Sequence, residues 1–213
     1  MRSRSRRTRP LPIASIALAC SLGILRTASA DSPVAPGTRP FWAQFGIGPS
    51  IFIATENSDA ASTWLHLNQQ VGVHFLGDAS GPAIALDVHE TFGWWNYGVG
   101  SSTLFAFRVG PRFQYDIQLV RSLGLYLSPY VGVGWGYWNY SGSFFGFRGT
   151  ATGNALDLSA GVEVRLVLGN RGVIAIRPLG FDFPIVFWNA PMGTQNSRVF
   201  LSYELLFSGG VIF

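Results

Sequence analysis

One feature constrains this chain more than any other: a two-residue alternation of side-chain character, sustained over runs too long for an ordinary strand. At the C-terminus Leu201, Tyr203, Leu205, Phe207, Gly209, Val211 and Phe213 alternate with Phe200, Ser202, Glu204, Leu206, Ser208, Gly210 and Ile212. The same period runs through 63–76, 103–115, 124–138 and 155–168, with shorter versions at 41–53, 83–92 and 172–180. Successive side chains of a strand point to opposite faces, so each run has one apolar and one mixed face. No stretch carries the i, i+3, i+4, i+7 stripe of an amphipathic helix, and beyond the first thirty residues none holds 18 consecutive apolar residues. The expectation is an all-β chain of eight strands.

Length points to the solvent. Strands of soluble sandwiches average about five or six residues. A strand rising ~3.3 Å per residue and tilted by about 40° advances ~2.5 Å along a membrane normal, so an apolar band of ~25 Å takes about ten residues, and the rims a few more. The apolar faces of the four long internal runs and of the last one carry no Arg, Asp or Glu, as lipid requires, because a charge at mid-depth costs roughly 2–4 kcal/mol. Charged residues make up only 12% of the chain, fewer than the 15% that are aromatic, which is little to clothe a soluble exterior. The links 54–62, 93–102, 139–154 and 181–197 read as long, 77–82 and 169–172 as tight turns, and 116–123 as intermediate. Aromatic residues gather near the strand ends, at Phe41-Trp42, Phe92 to Tyr97, Trp135 to Tyr140, Phe144 to Phe147 and Phe187-Trp188; rings prefer the depth where hydrocarbon meets water, so these are read as two girdles. Backbone groups in lipid must all be paired, so the eight strands are expected to close into an antiparallel up-and-down transmembrane barrel. A soluble sandwich or calycin-like barrel is the alternative, and it would place Trp64, Tyr126 and Tyr130 in water.

The basic character of the sequence belongs to its first thirty residues. The formal charge is +4, with 15 basic residues, all of them Arg, against 11 acidic ones. Arg2, Arg4, Arg6, Arg7, Arg9 and Arg26 lie in a segment without acids, so residues 31–213 are net negative and a nucleic-acid partner is not expected. That segment has a basic zone to Pro10, an apolar run from Leu11 to Leu25 and Thr27-Ala28-Ser29-Ala30, the pattern of a signal peptide cleaved after Ala30. The apolar run spans only about 22 Å, short for a permanent anchor. Residues 31–40 read as a flexible Pro/Ser/Thr/Gly-rich lead-in and 41–213 as the barrel domain. The single Cys20 lies inside the leader; acylation there is the lipoprotein alternative. Cleavage after Ala30 leaves no thiol, disulfide or cysteine-ligated metal.

On these residues the chain resembles the small eight-stranded bacterial outer-membrane barrels of the OmpX type, or the membrane domain of OmpA. Its last strand, with Tyr203, Phe207, Val211 and the terminal Phe213, resembles the signal read by the outer-membrane insertion machinery. The resemblance implies a bacterial outer-membrane location, lipids and lipopolysaccharide as surroundings, and the insertion machinery and periplasmic chaperones as assembly partners. It implies no particular extracellular ligand.

Eight strands enclose just enough width for side chains to fill. The inward groups expected are Asp87, His89, Arg108, Arg112, Asp157, Glu163, Arg165, Arg177 and Glu204: four carboxylates, four guanidiniums and a histidine. Equal numbers favour a paired electrostatic core over a polar path for ions or small solutes. The inward glycines Gly72, Gly110, Gly132, Gly134, Gly136 and Gly161 either leave room or seat neighbouring rings. A lipid-modifying enzyme is the remaining alternative, with Asp87 and His89 two residues apart on one face, His66 on the preceding strand and Ser101 or Ser102 nearby; no His-x-Ser arrangement of the deacylase barrels is present. No cofactor and no metal is expected: His66 and His74 are roughly 26 Å apart along a strand, and no phosphate-binding glycine loop precedes a helix. The leading expectation is a non-catalytic envelope protein with a structural or surface-recognition role.

Overall fold

A computed structural model describes residues 40–54, 62–76, 80–97, 100–144, 147–169, 171–189 and 196–213. The leader (1–30) and nearly all of the lead-in expected at 31–40 lie outside these residues. Eight strands follow one another: β1 Phe41–Ala54, β2 Ser62–His74, β3 Gly81–Tyr97, β4 Gly100–Val120, β5 Leu125–Phe144, β6 Phe147–Leu168, β7 Gly172–Asn189 and β8 Asn196–Ile212. Each pairs antiparallel with its neighbours in sequence, and β1 pairs with β8 to close the ring. Closure leaves no open sheet edge, so the ladder satisfies backbone groups that lipid could not. At the seam Phe41 N–H donates to the Phe213 carbonyl at 3.1 Å and Phe213 N–H to the Phe41 carbonyl at 2.9 Å.

The faces follow the alternation. Trp64, His66, Asn68, Gln70 and His74 of β2 are buried, whereas Val71 between them is exposed. The exterior is apolar through its middle, with Ile47, Leu86, Val131, Leu158, Ile174 and Phe207 exposed, while Trp94, Trp135, Tyr137 and Phe187 stand toward one rim and Phe41, Phe75, Tyr115 and Phe213 toward the other. A charged interior inside an apolar exterior inverts a soluble protein and suits a bilayer. Glu90 holds an outward register position, paired with Leu67 and Phe107, yet it is covered by its neighbours to 7% exposure.

Two expectations are corrected. The segments 93–102, 139–154 and 181–197 are mostly strand: β3 and β4 run on to Tyr97 and from Gly100, β5 and β6 to Phe144 and from Phe147, and β7 to Asn189. Their cross-strand ladders continue past the point where the hydrophobic alternation fades, because exposed strand tips pair through the backbone and need no apolar face. At the opposite end, 116–123 is divided between the end of β4 and a single 3-10 turn, Arg121–Leu123, closed by Gly124 at φ +63°. The aromatic clusters are also split. Trp42 and Trp138 point into the barrel, not into girdles, and the side chains of Trp95, Tyr97, Phe144, Phe145 and Phe147 lie outside the described residues.

Strand β7 changes phase midway. Its register against β8 shifts between Arg177 and Gly180, where Pro178 has no N–H to give the ladder. The Pro178 carbonyl accepts a hydrogen bond from the Tyr203 hydroxyl at 2.6 Å. Before this bulge the odd residues Val173, Ala175 and Arg177 face inward; after it the even residues Gly180, Asp182, Pro184 and Val186 do.

Candidate functional site

The interior is stratified. At the end of the barrel where Phe41 meets Phe213, a cluster of Trp42, Ala85, Tyr126, Val173 and Ile212 closes the interior. At the other end Phe52, Trp64, Leu104, Trp138 and Val186 pack together, with Tyr140, Trp188 and Phe200 against them. Phe52 and Trp64 stack at 4.2 Å between ring centroids, and Trp138 and Phe200 at 5.7 Å. Between these plugs lies the charged layer.

All nine interior residues read from the sequence are buried there, each 7% exposed or less. Glu163 sits among three guanidiniums, 3.2 Å from Arg165, 3.4 Å from Arg112 and 3.5 Å from Arg177, and accepts from Gln44 at 2.9 Å. Arg177 also meets Glu204 at 3.2 Å and donates to Asn68 at 3.1 Å. Arg108 donates to Asp157 at 2.7 Å and to Asp182 at 2.8 Å. Asp87 lies 2.7 Å from His89, the i, i+2 pairing that strand spacing allowed without enforcing. Aromatic faces add to the layer: Arg112 lies 3.7 Å over the Tyr130 ring, Arg177 4.8 Å from it, and Arg165 4.3 Å over Trp42.

The sequence reading missed Asp116 and Asp182. Asp116 is the last buried residue of β4, beyond the expected strand end, and meets Arg165 at 2.8 Å and His74 at 2.6 Å. Asp182 lay in an expected loop, and a strict alternation carried on from Arg177 would have turned it outward; the bulge at Pro178 brings it in. Pro178 within an alternating run was the available signal, since proline in a sheet marks an edge or a bulge. Among the described residues the layer therefore holds six carboxylates, not four, against four guanidiniums.

The glycines seat neighbours. A side chain at Gly72 would meet the Trp42 ring within 2.7 Å, one at Gly161 the Tyr130 hydroxyl at 2.7 Å, and one at Gly134 the Arg108 stem at 2.7 Å. The space they offer is already filled. The histidines pair with each other and with acids: His66 Nε2 lies 2.7 Å from His89 Nδ1, and His66 Nδ1 2.9 Å from Glu204. Of the serines considered for hydrolysis, Ser102 is hydrogen-bonded to the Tyr140 hydroxyl at 2.9 Å. A cavity of about 30 Å³ lies between the charged layer and the aromatic plug, lined by His66, His89, Arg108, Asp157, Asp182 and Trp138 among others. That is room for about two waters. His66, His89, Asp182 and Glu204 are close enough together to offer donor atoms to a metal ion.

Tyr203, Phe207, Val211 and Phe213, the residues expected to form an assembly signal, occupy outward positions of β8. Phe207 and Phe213 are exposed, and Phe213 stacks on Phe41 at 6.1 Å across the seam.

No protein-family model and no curated protein sequence matches the chain. Solved structures do match. Neisserial surface protein A superposes with a TM-score of 0.51 at 15% identity, over 81% of this chain and 97% of that one. Ail, the attachment invasion locus protein of Yersinia pestis, gives 0.54 at 13% identity over 82% and 99%. A major outer membrane protein from Thermus thermophilus gives 0.54 at 13% identity over 82% and 98%. At such identities a likeness speaks to fold, and it agrees with the closed ladder and inverted polarity described above: the chain has the all-β, eight-stranded antiparallel up-and-down fold of the small bacterial outer-membrane barrels.

Proposed function

We propose that the protein is an integral barrel of the bacterial outer membrane with a structural or surface-recognition role, and that its interior is a packed charge network without a conducting path. The observation that carries this reading is the stratified core, in which mutually paired charges fill the middle and an aromatic cluster stands at each end. A conducting path would need continuous water, whereas the cavity beneath the outer plug holds about two molecules. Buried charges are tolerable on these terms because each has partners of opposite sign.

Lipids and lipopolysaccharide contact the apolar exterior, the insertion machinery and periplasmic chaperones handle assembly, and the taller tips of β3 to β6 are presented outside. The names of two structural neighbours, a surface protein and an attachment invasion protein, agree with a role at the cell surface.

Orientation and location are tested by cysteine labelling in whole cells. Gly149 is exposed with open space around it, and Ser122 is exposed at the opposite end. With Cys20 removed along with the leader, Gly149→Cys should react with a membrane-impermeant maleimide on intact cells and Ser122→Cys only after the outer membrane is opened. Labelling of both in intact cells, or recovery of the protein in the soluble fraction, would overturn the proposal.

A further inference from the structure

We propose that His66, His89, Asp182 and Glu204 form an internal binding site for a divalent first-row transition-metal cation, zinc being the best fit to two imidazoles and two carboxylates. Charge balance gives the first argument. Among the described residues the interior holds Asp87, Asp116, Asp157, Glu163, Asp182 and Glu204 against Arg108, Arg112, Arg165 and Arg177, an excess of two negative charges. The excess is localised. Arg112 and Arg165 answer Glu163 and Asp116 in the half nearer the Phe41–Phe213 seam end, whereas Arg108 and Arg177 face Asp87, Asp157, Asp182 and Glu204 in the half that contains His66 and His89.

The imidazoles cannot both make up the deficit. With His66 Nε2 and His89 Nδ1 facing each other at 2.7 Å, two imidazolium rings would direct one N–H at the other. One doubly charged cation supplies both charges and removes the need for a proton between the rings.

Geometry gives the second argument. One donor atom from each of the four residues lies within 4.8 Å of the others. A tetrahedral ion with bonds of about 2.0–2.2 Å spaces its donors about 3.3–3.6 Å apart, so closure takes side-chain movements of roughly an ångström beside the cavity. Glu204 Oε1 lies 2.9 Å from His66 Nδ1 yet makes no aligned hydrogen bond among the described residues, and it stands 3.7 Å from His89 Nδ1. His89 Nε2 lies 2.7 Å from Asp87 Oδ2 and also within hydrogen-bond distance of the Arg108 guanidinium; with Arg108 turned wholly to Asp157 and Asp182, which it already meets, Nε2–H donates to Asp87 in the carboxylate–imidazole pairing that fixes the tautomer and raises the basicity of a metal-bound histidine.

The experiment uses the untagged mature chain refolded in detergent after chelator treatment. Zn²⁺ or Co²⁺ is supplied either during or after folding, and bound metal is measured by elemental analysis and by the visible absorption of Co²⁺. The proposal expects one ion per folded chain and a tetrahedral Co²⁺ spectrum. Asp182→Asn and His66→Gln should each abolish stoichiometric uptake, and Asp87→Asn should weaken affinity about 10–100-fold. His74→Gln, in the separate cluster with Asp116, should bind as the parent does. A heat-shifted gel band establishes that each variant is folded, and Asp182→Asn, nearly isosteric, serves if His66→Gln fails this check. Absence of stoichiometric metal in the folded parent under both loading regimes would overturn the site in favour of protons shared within the cluster. So would retention of parent affinity in folded Asp182→Asn.

Discussion

Neutralising Glu163 should destabilise the barrel more than any exposed substitution. Its carboxylate is completely buried and meets three guanidiniums within 3.5 Å. At an effective dielectric of about 20, unit charges at that separation attract by roughly 5 kcal/mol, so three contacts outweigh the several kcal/mol of desolvating one carboxylate. Glu163→Gln keeps the shape and removes the charge. Arg165 retains Asp116 and Arg177 retains Glu204, but Arg112 loses its ion pair and is left over the Tyr130 ring, with Nε and Nη1 lacking hydrogen-bond partners among the described residues. A buried charge stranded in this way costs about 3–5 kcal/mol. Unfolding by guanidinium in detergent, followed by the heat-dependent gel shift, reads the loss directly. The double change Glu163→Gln with Arg112→Met removes the stranded charge and should recover about half of it or more, a coupling that only neighbours show. A loss below ~1 kcal/mol for Glu163→Gln, with no coupling to Arg112→Met, would refute the reasoning, because it would mean that water already screens this layer.

Trp138→Ala should cost about 3–5 kcal/mol by opening a cavity among Phe52, Trp64, Trp188 and Phe200, measured by the same unfolding assay. Gly110→Val should block assembly, since a Cβ at this position would collide with the Val133 carbonyl oxygen, and the readout is the fraction of folded protein in the membrane. Deleting Phe213 should reduce outer-membrane insertion and leave protein in the periplasm at low expression, while Phe213→Leu separates loss of the ring from loss of apolar area. Equal insertion of all three forms would remove the assembly role from this residue.

The barrel was legible because lipid imposes one rule on every strand: apolar groups on one face and paired backbone throughout. Strand phase was therefore readable from the long runs on β2, β4, β5, β6 and β8; Arg108, Arg112, Asp157, Glu163, Arg165 and Glu204, named from those runs, are buried, and so are Asp87, His89 and Arg177, named from the shorter runs on β3 and β7. The strand ends were not legible, since the tips of β5 and β6 pair through backbone atoms that carry no sequence signal. Asp116 was lost to such a boundary. Asp182 was lost to a bulge, which turns every later residue of β7 by one position, and with both acids missing the interior looked balanced. Their recovery shows the excess of negative charge around His66 and His89, two residues on adjacent strands whose proximity no spacing along a single strand reveals.

The central claim, a filled interior in a membrane barrel, is tested most directly by single-channel recording of the refolded protein in a planar bilayer. The account predicts a heat-modifiable, strand-rich protein that inserts without stepwise conductance, and an Arg108→Ala variant that is destabilised by about 3–5 kcal/mol through its stranded partners Asp157 and Asp182. Discrete, reproducible current steps in the parent, altered by Arg108→Ala without loss of stability, would contradict it.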